Sequence, residues 1–408
     1  MPDNTAAWLV ATRTKLAIKP APYTAAKEGE IVVRNRAVAI NPVDWALQIL
    51  GTTIFRWLKF PVILGEDLAG EVAEVGPGVA RFKVGDRVLG QGVGLNPERN
   101  RNSESAFQIY VVVPVNLASP IPDAMSFEEA AVLPLCLSTA ACGLFQKDFL
   151  ALQYPSADAK PTGKTLLVWG GATSVGCNAI QLAVAAGYEV FTTASPRNFE
   201  YLKKLGAAEV FDYHSRTVVR DIIKAMKGKT IAGALAIATG STTLCLDIVG
   251  RCRGNKFVAI AGAPISLSTL TKGSSVALAL VRAMPSLLGS TLSAWLKSRT
   301  RGIRTNFIFG GSLVNNEVGA AIYENFLPQA LAQGRYIAAP PAQVVGRGLD
   351  AIETGFAIQK RGMSAERWWC LCDAVLRTSV ERLKCLHAMN DPALMGEPEN
   401  PATRYMFT

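Results

Sequence analysis

The stretch GEIVVRNRAVAI, residues 29–40, alternates polar and apolar positions, the period-two pattern of a half-buried strand. Beyond it, GEDLAGEVAEVGPGVARFKVGDRVLG (65–90) reads as strand, Gly76-Pro77-Gly78 turn, short strand, Gly85-Asp86 turn and strand. Turns this close together predict a compact β-barrel over the first ~135 residues. ESAFQIYVVVPVNLASPIP adds one more strand with a proline-closed exit.

From about Ser138 the pattern becomes alternating strands and helices. Residues 165–169 form a continuous apolar run, as expected for a central parallel strand buried on both faces. Gly176 leads into an apolar helix reaching Ala186, with Gly187 as its stop. Residues 188–193 predict a second strand, Pro196 the first turn of a helix that ends at Gly206, and residues 210–213 a third strand. Val218, Val219, Ile222, Ile223 and Met226 mark one face of a further helix. Residues 235–238 and 257–261 give two more strands, and NFIFGG (306–311) a sixth, completing a doubly wound sheet. Residues 323–333 predict a helix kinked by Pro328 and stopped by Gly334, and GLDAIETGFAIQKRGMSA a shorter one capped by Gly362.

An unusual excursion, residues 266–305, is apolar and then basic. Arg282 and Pro285 interrupt it, which favours a packed or lid-like helix over a membrane span, with a membrane-surface role as the lesser alternative.

Composition changes this picture little. The chain has 408 residues, 50% of them hydrophobic, which suits folded domains and excludes a disordered chain. Its net charge of +10 favours anionic partners, but the basic residues are scattered, so a phosphorylated cofactor or an acidic carrier is expected and nucleic acid is not. The 8 cysteines lack disulfide or zinc spacing, and no signal-peptide pattern is visible, so reduced thiols and a cytoplasmic location are expected.

The candidate chemistry lies at Gly171-Ala172-Thr173-Ser174-Val175-Gly176, between a buried strand and a helix N-terminus aimed at an anion. A dinucleotide loop needs glycines for a tight bend, for room at the pyrophosphate and for close helix packing. Gly171 and Gly176 take the first and third places, and Thr173 stands at the second. An NAD site places an acidic group at the end of the second strand; here Ser195, Arg197 and Asn198 offer hydroxyl, guanidinium and amide donors instead. That set predicts NADPH, with Tyr213 as a further phosphate contact. A ligand-free turn and a solvated Arg197 are the plainer alternatives.

The segments AINPVDWALQ, PVILGEDLAGEVAEVGPGVARFKVGDRVLG, AAVLPLCLSTAACGL, WGGATSVG and TTASPRNFEYLKKLGAAEVFDY together resemble the medium-chain dehydrogenase/reductase superfamily. Within it the chain is similar to the zinc-independent quinone oxidoreductase and enoyl reductase branch, and to fungal trans-acting enoyl reductases such as that of lovastatin synthesis. The resemblance implies a mixed α/β chain in which a GroES-like β-barrel catalytic domain is combined with a doubly wound Rossmann nucleotide-binding domain. The barrel takes residues 1–137 and 311–365, the nucleotide domain 138–310, and an atypical tail 366–408. It implies phosphate contacts from Ala172, Thr173, Ser174 and Val175, and a nicotinamide-facing Thr139. Ile260, Phe307 and Ser364 fall on other cofactor-lining positions, and Asn41 on a catalytic one.

Zinc-dependent members place Cys at the position of Asn41 and His at that of Glu66, so metal-independent hydride transfer is expected. Related enoyl reductases can carry an active-site lysine where this chain has Ala46, leaving Gln48 as the nearest polar residue. After MSA the chain also departs from its relatives: either Trp368 to Leu371 serve as the last barrel strand, or the barrel lacks it. An altered reading of the gene's end and a surface extension are two accounts of that tail.

The expected activity is NADPH-dependent reduction of an α,β-unsaturated carbonyl compound, small or carrier-bound, with Lys297, Arg299, Arg301 and Arg304 able to meet an acidic acyl carrier. The alternatives are a quinone or alkenal reductase on the same scaffold and a non-catalytic NADPH-binding protein. A monomer or homodimer is expected.

Overall fold

The computed structural model describes residues 2–53, 55–262, 276–360 and 368–372. The N-terminal part is built from β1 (Asn4–Leu9), β2 (Ala17–Ala21), β3 (Glu30–Ala39), β4 (Val62–Ile63), β5 (Asp67–Val75), β6 (Arg87–Gln91), β7 (Tyr110–Pro114) and β8 (Ala118–Pro120). β3 is the seam: it pairs antiparallel with both β5 and β7, while β5 continues to β6 and β6 to β8. A smaller sheet runs β2-β1-β4. Inward residues Ile31, Val33, Leu68, Val72, Val88, Val111 and Val113 form one core, and their exclusion from water is the main force closing these strands. Helix α1 (Pro42–Leu50) packs into the same core through Trp45, Ala46 and Leu47.

Short α2 (Phe127–Ala131) and α3 (Pro134–Phe145) lead to the second sheet. Its strands are β9 (Lys164–Trp169), β10 (Glu189–Ala194), β11 (Glu209–Asp212), β12 (Thr230–Ala236), the two-residue β13 (Arg253–Gly254), β14 (Phe257–Ile260) and β15 (Arg304–Phe307). They lie parallel in the order β11-β10-β9-β12-β14-β15, the 3-2-1-4-5-6 order of dinucleotide-binding sheets. Connections run through α4 (Ser174–Ala185), α5 (Phe199–Lys204), α6 (Val218–Ala225), α7 (Ser241–Arg251) and α8 (Val276–Thr300).

Several elements differ from the pattern in the sequence, each for a local reason. β12 starts at Thr230, ahead of the expected 235, because Gly233 sits at φ +116° beside a register shift and breaks the apolar run. β15 is an edge strand with all four residues exposed, so no buried run marks it. The helix expected at 323–333 begins at Glu317, where the Asn316 side chain accepts from Val318 N. It widens into a π turn over Ala321–Phe326 just before Pro328, which has no N–H to offer the preceding turn.

The excursion is helical across α8, with Pro285 inside it. Lys297 Nζ and Arg301 Nη1 both bind Asp247 on α7, at 2.5 and 2.7 Å, and the Arg304 guanidinium lies over the Phe257 ring. Three of the four cations expected to meet a carrier therefore hold the domain's own surface together. The apolar stretch Phe127–Phe145 has the length and composition to cross a membrane, but 72% of it is buried inside the fold.

The chain then returns to the first sheet as β16 (Ala342–Arg347) and β17 (Trp368–Cys372), with β17 parallel to β16 and antiparallel to β3. Of the two readings for the tail, Trp368 to Leu371 do supply a strand. Ser364 and the expected cap Gly362 lie outside the described residues.

Candidate cofactor and active site

The glycine loop sits at the switch point of the sheet, where β9 lies between β10 and β12 and the chain turns into α4. Gly170 adopts φ +101°, which lets the strand bend sharply. Gly176 lies against the turn itself: a Cβ there would overlap Gly170 O and stand 2.7 Å from Gly171 Cα. At Gly171 a Cβ would run into the Thr192 side chain. The close packing that a dinucleotide cradle requires is thus present at both glycines.

Thr173 is more than a glycine replaced. It is the N-cap of α4: its Oγ1 accepts from Gly176 N at 3.0 Å and donates to Gly170 O at 2.7 Å. The hydroxyl is turned onto the loop's own backbone, so the threonine rigidifies the turn. Thr173→Ala is expected to lower stability by about 1 kcal/mol, read as a lower thermal midpoint; an unchanged midpoint would show that the cap contributes nothing. Ser174 is fully buried and its Oγ meets no hydrogen-bond partner among the described residues. Ala172 and Val175 are half-buried against the core.

The predicted phosphate corner is partly assembled. Ser195 Oγ donates to Tyr213 Oη at 3.2 Å, joining the ends of β10 and β11. Arg197 is exposed in the turn Pro196–Asn198, whereas Asn198 is buried at 6% exposure. Asp212 also stands at this end, in register with Ala194, but its Oδ1 accepts from His214 N at 3.0 Å and faces His214 Nδ1 at 2.9 Å. Those contacts hold its carboxyl below the usual aspartate range.

At the other end, Thr139 is half-buried on α3 with Oγ1 donating to Leu135 O at 2.8 Å, and Gly310 packs directly against it. Ile260 and Phe307 pair at the ends of β14 and β15, close in register to the loop before Gly310. Phe307 is 58% exposed while Ile308 is buried. An aromatic wall that the sequence pattern did not single out stands here: Phe55 stacks on Trp57 at 4.8 Å and meets Phe309 edge-on at 6.2 Å. Asn96 Nδ2 ties this wall to Gly311 O at 2.9 Å.

Beneath Thr139 lies a buried acid cluster. Asn41, the N-cap of α1, donates its Nδ2 to Asp67 Oδ2 at 2.8 Å, and its backbone N–H to Asp44 Oδ2 at 2.7 Å. Asp67 Oδ1 also accepts from Leu135 N at 2.5 Å, and Asp44 Oδ1 from Gly65 N at 3.2 Å. Burial pushes Asp44 up to about 8 and Asp67 up to about 7, with their mutual repulsion adding to the shift of Asp44. Burial, then Asp44 and Asp67, raise Glu66 well above the carboxylate range. The expected polar lining at Gln48 is absent from this cluster: Gln48 Nε2 donates to Thr14 O and Glu353 Oε1, and its Oε1 accepts from Lys360. Gln48 fastens α1 to the C-terminal return, and Ala46 is core at 3% exposure.

Residues 27–123 match the alcohol dehydrogenase GroES-like domain, and residues 174–265 the zinc-binding dehydrogenase domain. The dehydrogenase pigH of Monascus ruber is 50% identical over 369 residues, spanning 90% of this chain and 99% of that protein. This chain belongs to the medium-chain dehydrogenase/reductase superfamily. The trans-enoyl reductase himH of Aspergillus japonicus is 34% identical, covering 89% of this chain and 96% of its own. In three dimensions the CurK enoyl reductase superposes with a TM-score of 0.65 at 21% identity, over 91% of this chain and 99% of that one. Membership makes the chain an oxidoreductase with a nicotinamide-nucleotide fold.

The donor set does not fit a zinc ion. The Asn41 amide is committed to Asp67, and burial raises the nearby Cys136 thiol far from thiolate. Among the described residues no three His, Cys, Asp or Glu side chains are arranged to hold a metal.

Proposed function

We propose that this dehydrogenase/reductase is an NADPH-dependent, metal-independent reductase of α,β-unsaturated carbonyl compounds, of the enoyl-reductase kind found in secondary metabolism. The observation that carries the cofactor choice is the corner at Ser195, Arg197 and Tyr213, which offers donors to a 2′-phosphate, with the neighbouring Asp212 turned onto His214. Relatives named trans-enoyl reductases support the substrate class, small or carrier-bound.

A nicotinamide nucleotide held here would supply hydride to the substrate's β-carbon. The chain's own residues bind and orient. The α4 N-terminus and the backbone N–H groups of the loop before it would hold the pyrophosphate. Thr139 and Gly310 frame the reacting end, and Phe55, Trp57 and Phe309 exclude water from it.

The test is a titration with NADPH and NADH followed through tryptophan fluorescence, since Trp169 closes β9 beside the loop. NADPH is expected to bind more tightly. Arg197→Ala is expected to weaken NADPH by at least about 10-fold, the loss of one charge-assisted phosphate bond, while leaving NADH unchanged. Equal affinities, or equal losses for both nucleotides, would overturn the NADPH assignment.

A further inference from the structure

Reduction of a conjugated carbonyl needs a proton as well as a hydride, and the reductase reading leaves that proton without a donor. His214 is exposed and paired with Asp212 at the opposite end of the cofactor site. The buried cluster beneath Thr139 contains better candidates.

Its three acids are not equivalent. Asp44 and Asp67 are both 0% exposed, and each accepts two hydrogen bonds that fasten backbone elements together. They hold α1, the start of β5 and the start of α3 in place. Glu66 is buried at 9% exposure, against 0% for both aspartates, and is the least enclosed of the three. It is anchored through its backbone, whose carbonyl accepts from Gly92 N at 2.7 Å, and its carboxyl is left beside the Gln91 amide. Gln91 is fully buried, yet neither its nitrogen nor its oxygen meets a hydrogen-bond partner of proper geometry among the described residues. The polar group beside this buried amide is the Glu66 carboxyl, and an amide left without a well-formed bond is a feature of catalytic sites as well as of strained ones. The placement also suits the reaction. Glu66 lies within electrostatic reach of the Cys136 thiol, which stands one turn before Thr139 on α3.

We propose that Glu66 is the general acid of this site, giving its carboxyl proton to the α-carbon of the substrate's enolate. The proposal rests on the reductase reading. As hydride reaches the β-carbon, the electron pair of the C=C bond moves to form the enolate. That pair then takes the Glu66 proton: a C–H bond forms, the O–H bond breaks and the carbonyl is restored. Glu66 is left as a carboxylate, which the Gln91 N–H stabilises, and a proton from solvent restores the acid before the next turnover. The groups that face Glu66 are Asp44 from α1, Asp67 from β5, Gln91 from β6 and the Cys136 thiol from α3. None of them is a cation, and the two acids and the low-dielectric surroundings favour the protonated state the role requires.

The experiment compares the full chain with Glu66→Gln and Glu66→Asp, using NADPH and an α,β-unsaturated thioester of N-acetylcysteamine. Three readouts are taken: NADPH affinity by tryptophan fluorescence, NADPH oxidation, and the infrared difference spectrum of the parent minus Glu66→Gln. Glu66→Gln is expected to bind NADPH unchanged, which reports an intact fold, while turnover falls about 100-fold or more. Glu66→Asp, which keeps the acid, is expected to recover part of the rate. The difference spectrum is expected to show a protonated carboxyl band at neutral pH. A Glu66→Gln enzyme as fast as the parent, or a spectrum without that band, would overturn the proton-donor assignment alone. A parent that binds NADPH and reduces no unsaturated thioester would overturn the reductase reading and this proposal with it.

Discussion

Gly176→Ala is expected to weaken cofactor binding severely. The added methyl would meet Gly170 O and Gly171 Cα, both backbone atoms of the turn leaving β9. These cannot rotate away as a flexible side chain would. Gly171 N is held to Thr193 O at 3.0 Å, and Gly170 N to Thr193 Oγ1 at 3.1 Å. Relief has to come from sliding the first turn of α4 off the strand. Overpacking of this kind costs about 1–3 kcal/mol of stability. It also breaks the Thr173 to Gly176 cap and misaims the N–H groups meant for the pyrophosphate, so affinity for NADPH is expected to fall by about 100-fold or more. Gly289→Ala, where nothing stands within 4 Å of the new Cβ, is the matched control and is expected to bind normally. Fluorescence titration of both variants decides the matter, and Gly176→Ala binding as tightly as Gly289→Ala would mean that the loop does not hold the nucleotide.

Thermal stability is expected to be greatest near pH 5 and to fall steadily toward pH 8. In the folded chain Asp44 is raised from 3.8 to about 8 and Asp67 from 3.8 to about 7, with Glu66 raised too. Between the unfolded and folded values the native state holds more protons than the unfolded one, so stability drops as pH rises through that window. Glu30, Glu189 and Asp247 shift the other way. Burial alone would raise them, but pairing with Arg101, Lys229 and Lys297 outweighs it and keeps them below their ordinary values. Their contribution is present above the carboxylate range and is lost on acidification, below the window in which the cluster acts. Melting curves at about pH 5, 6.5 and 8 test the sign, and Glu66→Gln is expected to flatten the slope by removing one of the titrating groups. A midpoint that rises from pH 5 to 8 would mean that the cluster is ionised at little cost.

Much of the nucleotide domain was legible in the chain. Leu166 to Trp169 announce a doubly buried strand because four apolar residues follow one another without a polar break, and Gly176 and Gly187 punctuate the helix that follows. β15 was misplaced because an exposed edge strand such as Arg304–Phe307 leaves no apolar signature. β17 was open to two readings because Trp368–Cys372 becomes a strand only by inserting between β16 and β3, and β3 lies near the other end of the chain.

The sequence by itself determined the fold class, the doubly wound sheet that follows the β-rich first part, the place of the glycine loop and the donor-rich corner that follows β10. Those properties follow from local periodicity, from turn residues and from spacing within one βαβ unit. Only the tertiary structure decided what each candidate does. Thr173 proves to be a helix cap because its hydroxyl finds Gly170 and Gly176 across the turn. Gln48 proves to be a fastener because Glu353 and Lys360 reach it from the other end of the chain. Asp44, Glu66 and Asp67 become a cluster whose acids are held above the usual carboxylate range because separate elements bury them in one place, and the cost of burying charge there depends on neighbours that no local pattern records.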